Sequence, residues 1–256
     1  MRYRVFGESH RDTILLLHGG GLNWWNYREQ AALLQDRYRV VLPILDGHAG
    51  SDRAFTTIED NAAEILSFID EQLGGSVLLL GGLSLGGQVA LEMLAQRKDV
   101  CCHALIESAS TVPSKLTGAL VGPTFGMSYG LVRRRGFAKL QFRSLHIRPE
   151  LFEDYYRDTC GIAKADMIAF LRASTAYAAK DALKDVCADV HVYVGEKETG
   201  VIRRSAEMLG GMLPRCTARR MPGLYHGAFS LNHAGAYADA IAGIVSGSSD
   251  LPTDNI

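Results

Sequence analysis

Short apolar runs recur along the chain, at residues 13–18, 39–44, 77–81, 103–107, 190–194 and 217–221. Most are apolar at successive positions rather than alternate ones; 217–221, with Arg219 and Arg220, is the least so. A strand with one wet face alternates, whereas a strand covered by helices on both faces does not. The runs therefore predict strands of a mostly parallel sheet. Between most of them the apolar spacing turns helical. Ala62, Ile65, Leu66, Ile69 and Leu73 follow Thr56-Thr57-Ile58-Glu59-Asp60, a stretch that resembles a capping box. Segments 85–96, 202–212 and 232–245 predict further helices. Alternation of this kind predicts an α/β fold, doubly wound about the sheet.

The alternation stops over residues 110–181. That stretch reads as several helices carrying Phe137, Phe142, Phe152, Tyr155, Tyr156, Phe170 and Tyr177. It predicts a helical cap inserted into a core made of residues 1–109 and 182–256. The cap is expected over the C-terminal strand edge, where such sheets bind ligands, with an apolar pocket beneath it. Residues 247–256 are small and polar and are expected to form a flexible tail.

Composition narrows the candidate functions. The 256 residues are 47% hydrophobic and 21% charged, with a formal net charge of -1. No long-range field favours nucleic acid or an anionic membrane. No apolar run approaches the ~18 residues of a membrane span, and no signal-peptide core follows Met1. The five cysteines (Cys101, Cys102, Cys160, Cys187 and Cys216) form no C-x-x-C pair. Their number and spacing predict ordinary thiols in a reducing cytoplasm, with neither disulfide framework nor metal site.

The apolar run 77–81 leads into Gly82-Leu83-Ser84-Leu85-Gly86-Gly87 and then a helix. This is G-x-S-x-G in a strand–turn–helix context. A serine on such a turn is strained and aims its hydroxyl above the sheet, and glycines two residues away relieve the crowding. No Lys-Ser or Lys-Thr follows Gly86, so phosphate-loop readings fail. The run 13–18 similarly leads into His18-Gly19-Gly20-Gly21. Acyl transfer requires two backbone N–H groups aimed at the developing oxyanion. Leu85 and Gly20 are the candidate donors. His18 is expected to organise the loop.

His18-Gly19-Gly20-Gly21, Asp46-Gly47-His48-Ala49-Gly50-Ser51 and Gly82-Leu83-Ser84-Leu85-Gly86-Gly87 together resemble the successive signatures of the α/β-hydrolase superfamily. The likeness covers nearly the whole chain outside the cap. It implies that fold and a Ser…acid…His order along the chain. It implies a base at His226, in the loop Gly223-Leu224-Tyr225-His226-Gly227 after the last strand of the six. It implies an acid after the preceding strand, where Val194-Gly195-Glu196-Lys197-Glu198 presents Glu198 instead of the usual aspartate. Glu107, at the end of run 103–107, is the rival acid. His10, His48, His103, His146 and His191 are expected to be structural or solvated.

Trp24 and Gly19 are candidate substrate-binding residues beside the oxyanion loop, with Trp25 next to them. The resemblance implies hydrolysis of a small to medium apolar acyl ester through an acyl-enzyme, with no cofactor. Two other readings stay open: carbon–carbon bond hydrolysis or a lyase step on the same triad, and a ligand receptor that retains the fold. Epoxide hydrolases and dehalogenases carry aspartate where Ser84 stands. The expected partner is a small-molecule ester. The pattern leaves the oligomeric state open.

Overall fold

A computed structural model of the chain describes residues 1–247 and 254–255. Its strands are β1 (Tyr3–Phe6), β2 (Thr13–Leu17), β3 (Arg39–Pro43), β4 (Val77–Leu83), β5 (Cys101–Glu107), β6 (Asp189–Gly195), β7 (Cys216–Met221) and β8 (Asp254–Asn255). They form one sheet in the order β1-β3-β2-β4-β5-β6-β7-β8. β1 pairs antiparallel with β3 and β8 antiparallel with β7, and the pairs between them are parallel. All six anticipated strands are present. β1 was not anticipated, because an edge strand half open to solvent lacks the continuous apolar signature.

The apolar runs feed two separate cores. Leu15 and Leu17 of β2 face one side with residues of α2 (Ile58–Gln72) and α3 (Leu85–Gln96). Ile14 and Leu16 face the other, with Trp25, Tyr237 and Ile241. Burying each such side chain contributes roughly 1.5–3 kcal/mol. α2 starts where the capping-box pattern placed it: the Thr57 side chain accepts from the Asp60 N–H at 3.0 Å. α1 (Arg28–Leu34) and α8 (Gly200–Met212) complete the core helices before β7. The helix expected over 232–245 is instead two, α9 (Ala228–Asn232) and α10 (Ala234–Ser246), broken at His233.

Between β5 and β6 the chain forms α4 (Lys115–Val132), α5 (Arg135–Ser144), α6 (Phe152–Gly161) and α7 (Lys164–Ala176). Phe142 packs against Phe152 and Tyr155, with ring centroids 5.4 and 5.1 Å apart. Polar ties fasten these helices to the core. Trp25 Nε1 donates to Asp158 Oδ2 at 2.8 Å, and Asn232 Nδ2 donates to the His146 carbonyl at 2.8 Å. Among the described residues no helix is long and apolar enough to cross a membrane. Of the tail, residues 248–253 and 256 lie outside the described residues.

The sheet register is what assembles a site. Leu17 pairs with Gly82, Leu83 with Glu107, Glu107 with Tyr193, and Gly195 with Met221. Strands β2, β4, β5, β6 and β7 therefore end level with one another. The loops that follow them converge on one edge, as parallel strands of matched length require.

Candidate active site

Ser84 sits between β4 and α3 with φ 52° and ψ -111°. A positive φ at a side-chain-bearing residue costs on the order of 1–3 kcal/mol, so the surroundings must hold it there. The Ser84 N–H donates to the Glu107 carbonyl at 2.8 Å, and the Gln88 N–H donates to the Ser84 carbonyl at 2.9 Å. The two glycines of the motif are obligatory for packing reasons. A Cβ on Gly82 would lie 2.3 Å from the Gly86 carbonyl oxygen, and one on Gly86 would lie 2.1 Å from that of Leu17. The α3 N-terminus begins at Leu85 and directs its partial positive charge at this spot.

Ser84 Oγ donates to His226 Nε2 at 3.0 Å, and His226 Nδ1 donates to Glu198 Oε2 at 2.8 Å. Glu198 Oε1 accepts from Gly195 N–H at 3.0 Å and from Ser108 Oγ at 2.6 Å. Burial pushes the Glu198 carboxyl up, but bonding to His226, its charge, and the Ser108 and Gly195 donors together outweigh that and hold it below its ordinary value. Burial likewise pulls His226 down, and the bond to and charge of Glu198, with a smaller push from Glu107, leave it above its ordinary value. Each partner favours the charged form of the other.

The geometry brings Glu198, rather than Glu107, to the imidazole. Glu107 Oε1 accepts from the N–H groups of Phe229 and Ser230 at 3.1 and 3.2 Å, at the start of α9. Burial drives its carboxyl up to about 7, against the donors of Ser230.

The Gly19–Gly21 loop is held by two histidines. His18 donates from Nδ1 to the Gly19 carbonyl at 2.9 Å and accepts the Leu45 N–H at Nε2 at 3.1 Å. His48 donates from Nδ1 to the Asp46 carbonyl at 3.0 Å and accepts the Gly21 N–H at Nε2 at 3.0 Å. Both rings must be neutral to do this. Burial pulls His18 far below its ordinary value and His48 down to about 4. Gly20 rests against Leu85, since a Cβ there would lie 3.6 Å from the Leu85 Cβ. Neither the Gly20 nor the Leu85 N–H makes a hydrogen bond among the described residues. The pair is thus available to an oxygen above Ser84.

A cavity of about 370 Å³ opens over Ser84. Leu22, Leu83, Ile147 and Leu231 give it apolar walls, and Gly19 and Gly20 also line it. Trp24 and Trp25 do not. Trp24 packs on Phe6 of β1 at 6.5 Å beneath the Arg4 guanidinium, and Trp25 is buried against Asp158. Phe142, Phe152 and Tyr155 are buried among the helices between β5 and β6.

Four residues at the site escaped the sequence reading. Ser108 carries no motif. Tyr225, Lys197 and His146 line the cavity mouth as a stack: His146 lies parallel to the Tyr225 ring at 3.8 Å, and Lys197 Nζ sits 4.8 Å from the same ring's centroid. The loop positions of Lys197 and Tyr225, next to Glu198 and His226, were the available signal. His146 comes from the insertion and left none.

The sequence model of the alpha/beta hydrolase family matches residues 14–240. Among curated proteins the chain is similar to epoxide hydrolase 3 of Xenopus tropicalis, with 32% identity over 111 residues, 42% of this chain. That match spans only 30% of the frog protein's length. Among solved structures it is similar to an esterase from Exiguobacterium antarcticum, with a TM-score of 0.80 and 19% identity, covering 95% of this chain and 94% of the other. It is also similar to an enol-lactonase from Burkholderia xenovorans, with a TM-score of 0.78 and 17% identity, covering 96% of each chain. At such identities the likeness is one of fold.

Proposed function

The chain belongs to the alpha/beta hydrolase family, and on that premise we propose that it is a carboxylic ester hydrolase working through an acyl-enzyme on Ser84. The observation that carries this reading is the hydrogen-bonded run from Ser84 Oγ through His226 to Glu198, at 3.0 and 2.8 Å, opening into an apolar cavity.

Ser84 Oγ attacks the acyl carbon while His226 Nε2 takes its proton. Glu198 holds the imidazole in the required tautomer and stabilises the imidazolium. Charge gathers on the former carbonyl oxygen, which the Gly20 and Leu85 N–H groups receive. One such donor is worth on the order of 3 kcal/mol in the transition state. His226 then gives its proton to the departing alkoxide. Water, deprotonated by the same imidazole, releases the acid.

The cavity suits a small to medium apolar acyl group, near the lower end of the roughly 300–1,000 Å³ of ligand pockets. Epoxide opening, the activity in the frog relative's name, fits less well, because Ser84 stands where that chemistry employs a carboxylate.

The test is a fluorophosphonate probe together with p-nitrophenyl esters of graded chain length. Labelling and turnover should both vanish in Ser84→Ala. A wild-type protein that resists the probe has no activated serine. Labelling without ester turnover at any chain length points to another reaction on the same residues.

A further inference from the structure

We propose that the outer face of α5 docks on an anionic lipid surface and turns the mouth of the Ser84 cavity toward it. Residues 133–148 contain six basic side chains (Arg133, Arg134, Arg135, Lys139, Arg143 and Arg148) and no Asp or Glu, in a chain whose net charge is -1. Arg135 is paired with Glu153 and Arg148 with Glu29. Arg133 lies over the Tyr129 ring. Arg134, Lys139 and Arg143 make no ion pair among the described residues and face solvent.

Apolar side chains stand among these cations. α5 buries Ala138 and Phe142. At about 100° per residue, the direction opposite the midpoint of that pair belongs to Leu140. Leu140 is 67% exposed, and Phe137 one turn earlier is 37% exposed. Ser144 follows Leu140 by one turn, and it lines the cavity together with Leu145, the next residue, which is 39% exposed. A ridge with Leu140 at its summit, Lys139 and Arg143 along one flank and Phe137 on the other thus ends at residues that line the cavity.

This is the pattern of a helix that lies in a membrane interface. Aliphatic side chains enter the acyl boundary while Lys and Arg stems reach back to lipid phosphates. An acidic protein would satisfy the cations but needs a groove of its own to cover the convex ridge. A lipid surface satisfies both at once. The docking itself is independent of the esterase reading. Only the inference that the surface delivers ester substrate to Ser84 rests on it.

The test is co-sedimentation with phosphatidylcholine vesicles, with and without phosphatidylglycerol, using wild type, Leu140→Asp and the double variant Lys139→Glu/Arg143→Glu. The wild type should bind the phosphatidylglycerol vesicles, and less so as salt rises. Losing one basic contact costs about fivefold in partitioning, so the double variant should lose roughly thirtyfold or more. Leu140→Asp should lose at least about tenfold. Both variants should keep the wild-type melting temperature and its turnover of soluble p-nitrophenyl butyrate. Absence of vesicle binding at low salt overturns the proposal. So does binding indifferent to Leu140→Asp, or salt-sensitive retention on immobilised polyglutamate in place of vesicles, which assigns the face to an acidic polypeptide. If vesicles bind but no ester turns over in the wild type, the esterase reading fails and the docking stands.

Discussion

The Ser108 hydroxyl donates to Glu198 Oε1 at 2.6 Å across 90 residues of sequence. Ser108 Oγ in turn accepts the N–H of Gly227, directly after His226, at 3.2 Å. Ser108 is buried, and its φ of 57° is one of three positive values at non-glycine residues among those described. Strain is thus spent on a side chain that ties the loop bearing Glu198 to the loop bearing His226. A glutamate reaches further than an aspartate, and this tether fixes the far end of the longer side chain.

Ser108→Ala should therefore lower kcat roughly tenfold to a hundredfold, the worth of a hydrogen bond to a charged group, with little change in KM. Without the hydroxyl, more of the Glu198 charge falls on His226, whose conjugate acid is already raised. The acidic limb of kcat/KM should move to higher pH. Steady-state profiles of the two proteins measure the shift, and a limb that stays put or moves down rules out the tether.

The two carboxylates should separate cleanly on substitution. Glu198→Gln removes the charge beside the imidazole and should cost about 10⁴ in kcat, as loss of a triad acid does elsewhere. Glu107→Gln should cost far less, because Glu107 bonds Phe229 and Ser230 instead of His226. Its mark is on stability. Burial raises the Glu107 carboxyl from 4.5 to about 7. A raised carboxyl favours the protonated fold, so its contribution is complete below pH 4.5 and is lost as pH rises through about 7. The loss is about 3 kcal/mol at most. Glu107→Gln escapes it, so its melting temperature should gain on the wild type between pH 5 and pH 8.

Most of the sheet was legible because its central strands are covered on both faces and therefore apolar at most positions. Ser84 was legible from the strand–turn–helix motif around it, and His226 and two candidate acids from the resemblance to the α/β-hydrolase superfamily. β1 was not, being half exposed, and the error over Trp24 descends from that omission: the indole that looked free to line a pocket is packed on Phe6 of the unseen strand. Ser108 was illegible for a different reason. Its role depends on one left-handed backbone angle and on partners 90 and 119 residues away, which no local pattern encodes. The choice between Glu198 and Glu107 also needed coordinates, because both follow strands that end at the same edge.

The glycines around Ser84 should differ sharply in tolerance. Gly86→Ala forces a Cβ to 2.1 Å from a backbone oxygen that the sheet holds in place. It should cost about 3 kcal/mol or more and leave little folded protein. The nearest neighbours of a Cβ on Gly20 are the Leu85 and Phe170 side chains, at 3.5 Å. Gly20→Ala should keep a near-wild-type melting temperature. Thermal denaturation of the pair decides the point, and comparable losses in both would mean that the loop at Gly20 is as tightly confined as the turn at Ser84.

The histidines behind the Gly19–Gly21 loop predict an acid limit to the fold. His48 accepts the Gly21 N–H only as a neutral ring, stacked at 4.5 Å on Phe170, and burial holds its conjugate acid down at about 4 against an ordinary 6.5. In this window the unfolded chain binds the extra proton. Stability from His48 is complete above pH 6.5 and is lost as pH falls toward 4, by about 3 kcal/mol at most. His48→Gln retains an acceptor for Gly21 but does not titrate. It should be less stable than the wild type near pH 7, through lost stacking, and the gap should close as pH drops. Melting temperatures of both proteins from pH 7 to pH 4 measure this, and a gap of constant size would show that His48 does not remain neutral in the fold.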